Sequence, residues 1–219
     1  MASFVLTRRV ALIGASAAVL AACSKHGGGG GAQTGPQAAA ALPDDMSLGN
    51  PNAKISFVEY ASVACPVCGR WFKEVWPAFK AKYVDTGKVH YTFREMLVGG
   101  SDEITAAASG FLLARCAGKD KYFQMVDAIF NSQPDLFSDP RGVLLNIAKS
   151  AGMTEAQFDA CVSNTDAINA LQARVDRNGK QGNISATPTF VINGKALDPG
   201  YHSLAEIDAA IAAAQSSAS

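Results

Sequence analysis

Histidine is scarce in this sequence, and neither sign of charge predominates. Only three histidines occur among 219 residues, at His26, His90 and His202, and none lies near Cys65 and Cys68 at a spacing that a metal site would require. The 19 basic and 19 acidic residues balance and form no block of like charge. Nothing therefore indicates binding to nucleic acid or to a charged polymer. We expect no metal and no cofactor, and we find no internal repeats.

No apolar run is long enough to span a membrane. The longest extends from Val10 to Ala22 behind the positive pair Arg8-Arg9, which predicts an export signal over residues 1–22. Its end, Leu20-Ala21-Ala22-Cys23, resembles a bacterial lipoprotein signal, which implies a lipid on Cys23. Cleavage nearby without a lipid is the alternative. Export through the Sec or the twin-arginine route stays open.

A change of composition separates a tether from a domain. Residues 23–43 are rich in glycine and alanine and contain too little apolar surface to order themselves, so we expect a flexible tether. Residues 44–219 have the composition of one globular domain with a full core. An exported, anchored domain is expected in the periplasm, attached to a membrane as a lipoprotein.

The short motif Cys65-Pro66-Val67-Cys68 lies where a predicted strand ends and a predicted helix begins. A strand is expected over residues 54–60, and an amphipathic helix begins near Pro66, a residue suited to a first helical turn. The free N–H groups of a helix N-terminus favour a thiolate. Two cysteines one helical turn apart can also close a disulfide. The motif therefore predicts a redox centre.

Hydrophobic periodicity predicts strand and helix in a definite order. The first helix should be kinked near Pro77 and end about Val84, and the strand at 89–95 should run parallel to the one at 54–60. A helical block follows, and Asn193-Gly194 predicts a hairpin. The expected helices are 102–117, 120–131, 141–151, 154–163 and 165–178, followed by strands 189–192 and 195–197 and a helix over 203–215. This order predicts a small α/β fold with a helical insertion at about 102–180.

Two cysteines remain after the signal and the motif are accounted for. Cys116 and Cys161 both lie in segments of helical pattern. In an exported protein, a leftover pair is most simply a structural disulfide. Two separate buried thiols are the alternative.

Three places in the chain together resemble the DsbA-like thiol–disulfide oxidoreductases, which have a thioredoxin fold with a helical insertion. They are the motif C-P-x-C at 65–68, the acidic residue Glu59 six positions earlier, and Thr187-Pro188 before the run T-F-V-I-N-G. The resemblance covers about residues 50–215. It implies an α/β thioredoxin fold and an enzyme that acts on exported proteins. The glycine-rich tether has no periodic apolar stripe through which the chain could dimerise, which favours a monomer.

The resemblance also implies a role for each matching residue. Cys65 is the expected nucleophile, Cys68 the resolving thiol, and Glu59 a buried acid that relays the proton of Cys68. Thr187 and a cis Pro188 would face the site and pair with an extended substrate peptide. An exposed carboxylate at Glu59 and an ordinary turn at Pro188 are the alternatives.

The chain departs from the family's strongly oxidising members at two positions. Val67 stands where those members have histidine, and Thr187 is as typical of isomerases and reductases as of oxidases. We expect a milder oxidant that introduces disulfides into unfolded or partly folded exported proteins and is reset by a redox partner. A disulfide reductase or isomerase is the alternative, and a Cu(I) or Zn(II) carrier using the same cysteines is an alternative of another class.

Overall fold

The computed structural model describes residues 42–217, apart from the side chain of Gln181. The predicted export signal at 1–22, the lipid on Cys23 and nearly all of the tether at 23–43 therefore lie outside the described residues. Within the described range, no helix is long and apolar enough to cross a membrane.

Within residues 42–217, five strands form one mixed sheet in the order β1-β3-β2-β4-β5. The central pair, β2 and β3, is parallel, which confirms the predicted βαβ unit, and every other pairing is antiparallel. The strands are β1 (Met46–Gly49), β2 (Ile55–Ala61), β3 (Val89–Glu95), β4 (Thr189–Ile192) and β5 (Lys195–Ala196). The edge strand β1 was not predicted, because four residues show too little alternation to be read as a strand.

The central strand β2 is buried on both faces. Phe57 packs into the main core on one face, whereas Val58 and Tyr60 pack into a smaller cluster with Val191 on the other. Alternate residues of a strand point to opposite faces, so a strand covered on both sides is apolar at nearly every position. An acidic residue within such a strand is necessarily buried.

The first helix begins directly after β2 and is interrupted in its second half. Helix α1 (Pro66–Glu74) ends at Val75, α2 (Trp76–Phe79) follows, and a π-helical turn occupies Lys80–Val84. Pro77 lacks the N–H that a continuous helix would need, which accounts for the break. The predicted kink near Pro77 is confirmed.

The helical block between β3 and β4 contains one helix more than the sequence predicted. Its members are α3 (Ser101–Cys116), α4 (Lys119–Asn131), α5 (Gln133–Leu136), α6 (Pro140–Ser150), α7 (Glu155–Val162) and α8 (Thr165–Gly182). The four-residue helix α5 is too short to show a helical period. Helix α8 continues four residues beyond the predicted end and stops at Asn183, which adopts the left-handed conformation.

A tight hairpin and a final helix complete the fold. Asn193 (φ 45°) and Gly194 (φ 84°) both have positive φ, as the two-residue turn between β4 and β5 requires. The Oδ1 atom of Asn193 also accepts a hydrogen bond from the Ser56 N–H at 2.8 Å, which ties the turn to the region of β2. Helix α9 (Leu204–Ser216) buries Ile207 and Ile211 against the core.

Candidate active site

Cys65 is the N-cap residue of α1, and its sulfur accepts a hydrogen bond from the Cys68 N–H at 3.4 Å. Pro66 occupies the first helical turn, where its missing N–H has no cost. The pKa of Cys65 is lowered from 9.0 to about 6, chiefly because the Cys68 thiol donates to its sulfur. A hydrogen bond from the Thr187 side chain and the N–H groups of Cys68 and Val67 lower this pKa further, and burial partly opposes them.

Cys68 lies deeper than Cys65, and its pKa is shifted in the opposite direction. Its residue surface is fully buried, whereas 8 % of Cys65 is exposed. Burial is the first cause that raises the pKa of Cys68 well above 9.0, and the neighbouring Cys65 thiolate adds to it. At neutral pH the pair therefore holds one thiolate, on Cys65, and one thiol, on Cys68. Such a pair has an acidic, accessible sulfur and a protected one.

Glu59 lies in the middle of β2 and is only 1 % exposed. The hydroxyl of Tyr91 donates to its Oε2 atom at 2.6 Å, while the buried Oε1 atom has no hydrogen-bond partner among the described residues. Burial raises the pKa of Glu59 from 4.5 to about 8, the Tyr91 hydrogen bond lowers it, and the Cys65 thiolate raises it slightly more. The carboxyl is therefore mostly protonated at pH 7.

The loop that precedes β4 also contacts Cys65. The Thr187–Pro188 peptide bond is cis, and the Cys65 thiol lies within hydrogen-bond distance of the Thr187 carbonyl oxygen, at 3.5 Å. These contacts join residues 122 positions apart in the chain. Val67, between the two cysteines, leaves 41 % of its surface exposed. The apolar side chain of Val67 is therefore open to solvent between the two cysteines.

Two residues that contact the site escaped the sequence analysis. Tyr91 lies in β3, where its alternating position indicated only a buried aromatic residue. Gln133 begins α5, and its side chain donates to backbone carbonyls of the loop that carries Cys65. Alternation along β3 places Tyr91 on a face of the sheet, but no local signal pointed to Gln133.

The remaining cysteines lie in the helical block. A disulfide joins Cys116, at the end of α3, to Cys161 in α7, 45 residues further along.

Cys65 and Cys68 are both free thiols in this structure. Within residues 42–217, no group of three or more His, Cys, Asp and Glu side chains is placed to hold a metal ion.

Fold and site together define a thioredoxin-fold protein with a dithiol at its strand–helix junction. A sequence model of the family described as thioredoxin matches residues 41–213, and the chain belongs to this family. The crystal structure of Wolbachia pipientis alpha-DsbA1 is 27% identical, covers 81% of this chain and 94% of its own, and superposes with a TM-score of 0.73. The predicted thioredoxin fold with a helical insertion is confirmed, as is the resemblance to DsbA-like proteins.

Two further similar proteins differ from this chain in length or are described by another activity. A Rickettsia bellii protein, whose name provisionally calls it a protein-disulfide oxidoreductase, is 32% identical over 77% of this chain. The match covers 63% of that relative, so the chain spans about three fifths of its length. A Novosphingobium aromaticivorans structure described as a protein-disulfide isomerase is 26% identical, covers 77% of this chain and 96% of its own, and has a TM-score of 0.66.

Proposed function

We propose that this protein is a thiol–disulfide oxidoreductase that introduces disulfides into exported proteins through Cys65 and Cys68. One observation carries the proposal: the Cys65 sulfur caps α1 and accepts the Cys68 N–H at 3.4 Å, with Cys68 fully buried beside it. The arrangement stabilises a thiolate on the sulfur that a substrate can reach.

The reaction begins from the Cys65–Cys68 disulfide. A substrate thiolate attacks the Cys65 sulfur, a mixed disulfide forms, and Cys68 leaves and takes a proton. A second substrate thiolate then attacks the substrate sulfur of the mixed disulfide and releases Cys65 as a thiolate. The substrate loses two electrons and gains a disulfide, and the cysteine pair gains the two electrons. The lowered pKa of Cys65 makes it a good leaving group in this second step.

Glu59 is suited to supply the proton that Cys68 needs. Its carboxyl is protonated at neutral pH because its pKa is about 8, and Oε2 is held by Tyr91. Of the two carboxyl oxygens of Glu59, Oε1 is the one without a hydrogen-bond partner among the described residues. In the reverse direction, the same carboxylate would accept the proton of Cys68 before the disulfide closes again.

The Thr187–Pro188 loop is the proposed docking place for the substrate chain. Its Thr187 carbonyl lies 3.5 Å from the Cys65 sulfur, so a peptide disulfide-bonded to Cys65 would lie along this backbone. Pro188 cannot donate a hydrogen bond. An extended peptide would therefore pair with Thr187, which makes recognition largely independent of the substrate's sequence.

The direction of the reaction is tested by the reduction potential of the pair, measured by equilibration with glutathione. We expect a value more oxidising than about −230 mV, because a stabilised thiolate favours the reduced form. A value close to that of thioredoxin, about −270 mV, would contradict oxidation and favour the reductase or isomerase alternative. The exposed Val67 supplies no charge to the thiolate, so a value as high as about −120 mV is not expected.

A second experiment tests the site itself. Oxidative refolding of a reduced substrate protein and reduction of insulin are compared for the wild type and Cys65→Ser. Loss of both activities in the variant is expected, because no other free thiol among residues 42–217 is even slightly exposed. Stoichiometric Cu(I) binding that requires both cysteines, without thiol exchange, would favour the metal-carrier alternative instead.

The proposed setting is the periplasm, with a lipid on Cys23, residues 23–43 as the tether, and residues 44–219 as a monomeric domain. Disulfide formation requires an oxidising compartment and a redox partner that removes the two electrons after each cycle. Membrane fractionation of the full chain and of Cys23→Ala tests the anchor. Release of the variant into the soluble periplasmic fraction is expected, and an unchanged distribution would contradict lipidation.

A further inference from the structure

A buried glutamine connects the helical block to the loop that carries Cys65. Gln133 is the first residue of α5 and is 7 % exposed, although glutamine is mostly found at protein surfaces. Its Nε2 atom donates to the Val63 carbonyl at 2.9 Å and to the Cys65 carbonyl at 3.0 Å. Both protons of the amide are therefore used on one short segment of backbone.

Both acceptors lie in the turn of residues 62–65 between β2 and α1. The Cys65 carbonyl also accepts the Gly69 N–H at 3.0 Å, the hydrogen bond that begins α1. Gln133 thus holds the peptide group of the residue whose sulfur reacts. If the Gln133 amide were removed, the buried Val63 carbonyl would lose this hydrogen bond.

Gly69 has no side chain, and this leaves the space in α1 that the Gln133 amide occupies. A Cβ atom at position 69 would clash with the Oε1 atom of Gln133. The backbone at Gly69 is ordinary α-helix, so its glycine is required by space and not by conformation. The amide of Gln133 therefore packs directly against the turn of α1 that follows Cys65.

We propose that Gln133 is a positioning residue that holds the Cys65 loop, so that the Cys65 sulfur stays aligned with the N–H groups at the start of α1. The inference rests on the proposed function, because Gln133 acts through Cys65. It also assigns a role to the helical block: by way of α5, this block controls the reactivity of a sulfur that belongs to the central fold.

The test is a titration of Cys65 in reduced protein, followed by thiolate absorbance, in Gln133→Ala and Gln133→Met. Methionine keeps the length of the side chain and removes its donors. We expect the pKa of Cys65 to rise by about one unit in both variants, because a less well held loop donates more weakly to the thiolate. Alkylation by iodoacetamide at pH 6 should slow about fivefold as the thiolate fraction falls.

Gln157→Ala is the matched control. Gln157 also lies in the helical block, where its side chain completes the capping box of α7 and is exposed. Its loss should lower the melting temperature and leave the Cys65 titration at the wild-type value. An equal shift in this variant would mean that any damage to the helical block affects Cys65, and the inference would fail.

Gly69→Ala tests the same contact from the other side. The new methyl group should displace the Gln133 amide and raise the pKa of Cys65 as Gln133→Ala does. The double variant should show no more than the larger single shift. A wild-type titration in Gln133→Ala and Gln133→Met would overturn the inference whatever Gly69→Ala does. Failure of the proposed function is separate, since it would show as absence of thiol exchange in the wild type.

Discussion

The hydroxyl of Tyr91 donates to Glu59 Oε2 at 2.6 Å across the two central strands. Both side chains are buried, and the contact links the candidate proton relay to the strand beside it. One oxygen of the carboxyl is thereby held in place, and the other has no partner among the described residues. Tyr91 therefore influences both the orientation and the acidity of Glu59.

Tyr91→Phe should raise the pKa of Glu59 above its value of about 8. The hydrogen bond from Tyr91 stabilises the charged carboxylate, and burial, which raises the pKa, would then act with less opposition. We expect the pH midpoint of disulfide closure, the step in which Cys68 loses its proton, to move up by about one unit. Stopped-flow measurement of this step against pH checks the shift.

Tyr83→Phe is the control for that experiment. Tyr83 likewise donates its hydroxyl to a carboxylate, that of Asp208, at 2.7 Å, but it does so in another part of the fold. Its loss should leave the pH midpoint of disulfide closure unchanged. Equal midpoints in Tyr91→Phe and the wild type would show that Glu59 does not govern this step.

Glu59→Gln should remove the loss of stability that the Glu59 carboxyl causes as the pH rises. The pKa of Glu59 rises from 4.5 in the unfolded chain to about 8 in the fold. Its contribution to the free energy of unfolding is therefore fully present below pH 4.5. That contribution is lost as the pH rises through 8, and its size is on the order of 5 kcal/mol.

Urea unfolding of the reduced protein at pH 4, 6 and 8 measures this difference. The pKa of Cys65 is lowered to about 6, so its thiolate changes stability in the opposite direction, and does so in both proteins. The difference between wild type and Glu59→Gln therefore isolates the carboxyl. A difference that stays constant across the three pH values would contradict the raised pKa of Glu59.

Val67→His should make the pair more oxidising. Val67 is 41 % exposed, so histidine fits there without entering the core, and its imidazole would bring a positive charge or a hydrogen bond to the Cys65 thiolate. A fall of about one unit in the pKa of Cys65 would raise the potential by about 30 mV. Equilibration with glutathione measures the change. Val67→Leu, which adds no charge, should stay close to the wild type.

Replacing both Cys116 and Cys161 by serine should destabilise the fold. The disulfide closes a loop over a sequence separation of 45 residues, and loss of such a cross-link costs up to about 4 kcal/mol in the chain-entropy model. Denaturant unfolding of oxidised wild type and the double variant gives the difference. A reductant also opens the Cys65–Cys68 disulfide in both proteins, so the contribution of Cys116–Cys161 is the additional loss of stability in the wild type. An equal response in the two proteins would mean that the Cys116–Cys161 disulfide contributes nothing.

Much of the fold was predictable because it rests on local patterns. The two-residue period over 89–95, the helical periods from 102 onward and the Asn193-Gly194 turn each depend on neighbours close in the chain. The predictions were incomplete where an element is short, as in β1 and α5. Four residues do not complete enough of a period to be distinguished from a turn.

The sequence by itself determined that a cysteine pair would cap a helix after a buried strand, because the pair, the proline and the strand are consecutive in the chain. Only the tertiary structure decided which groups surround that pair. Thr187 reaches Cys65 across 122 residues, Gln133 across 68 and Tyr91 reaches Glu59 across 32. Such contacts depend on packing between elements, and packing leaves no periodic signal in the sequence for any one partner.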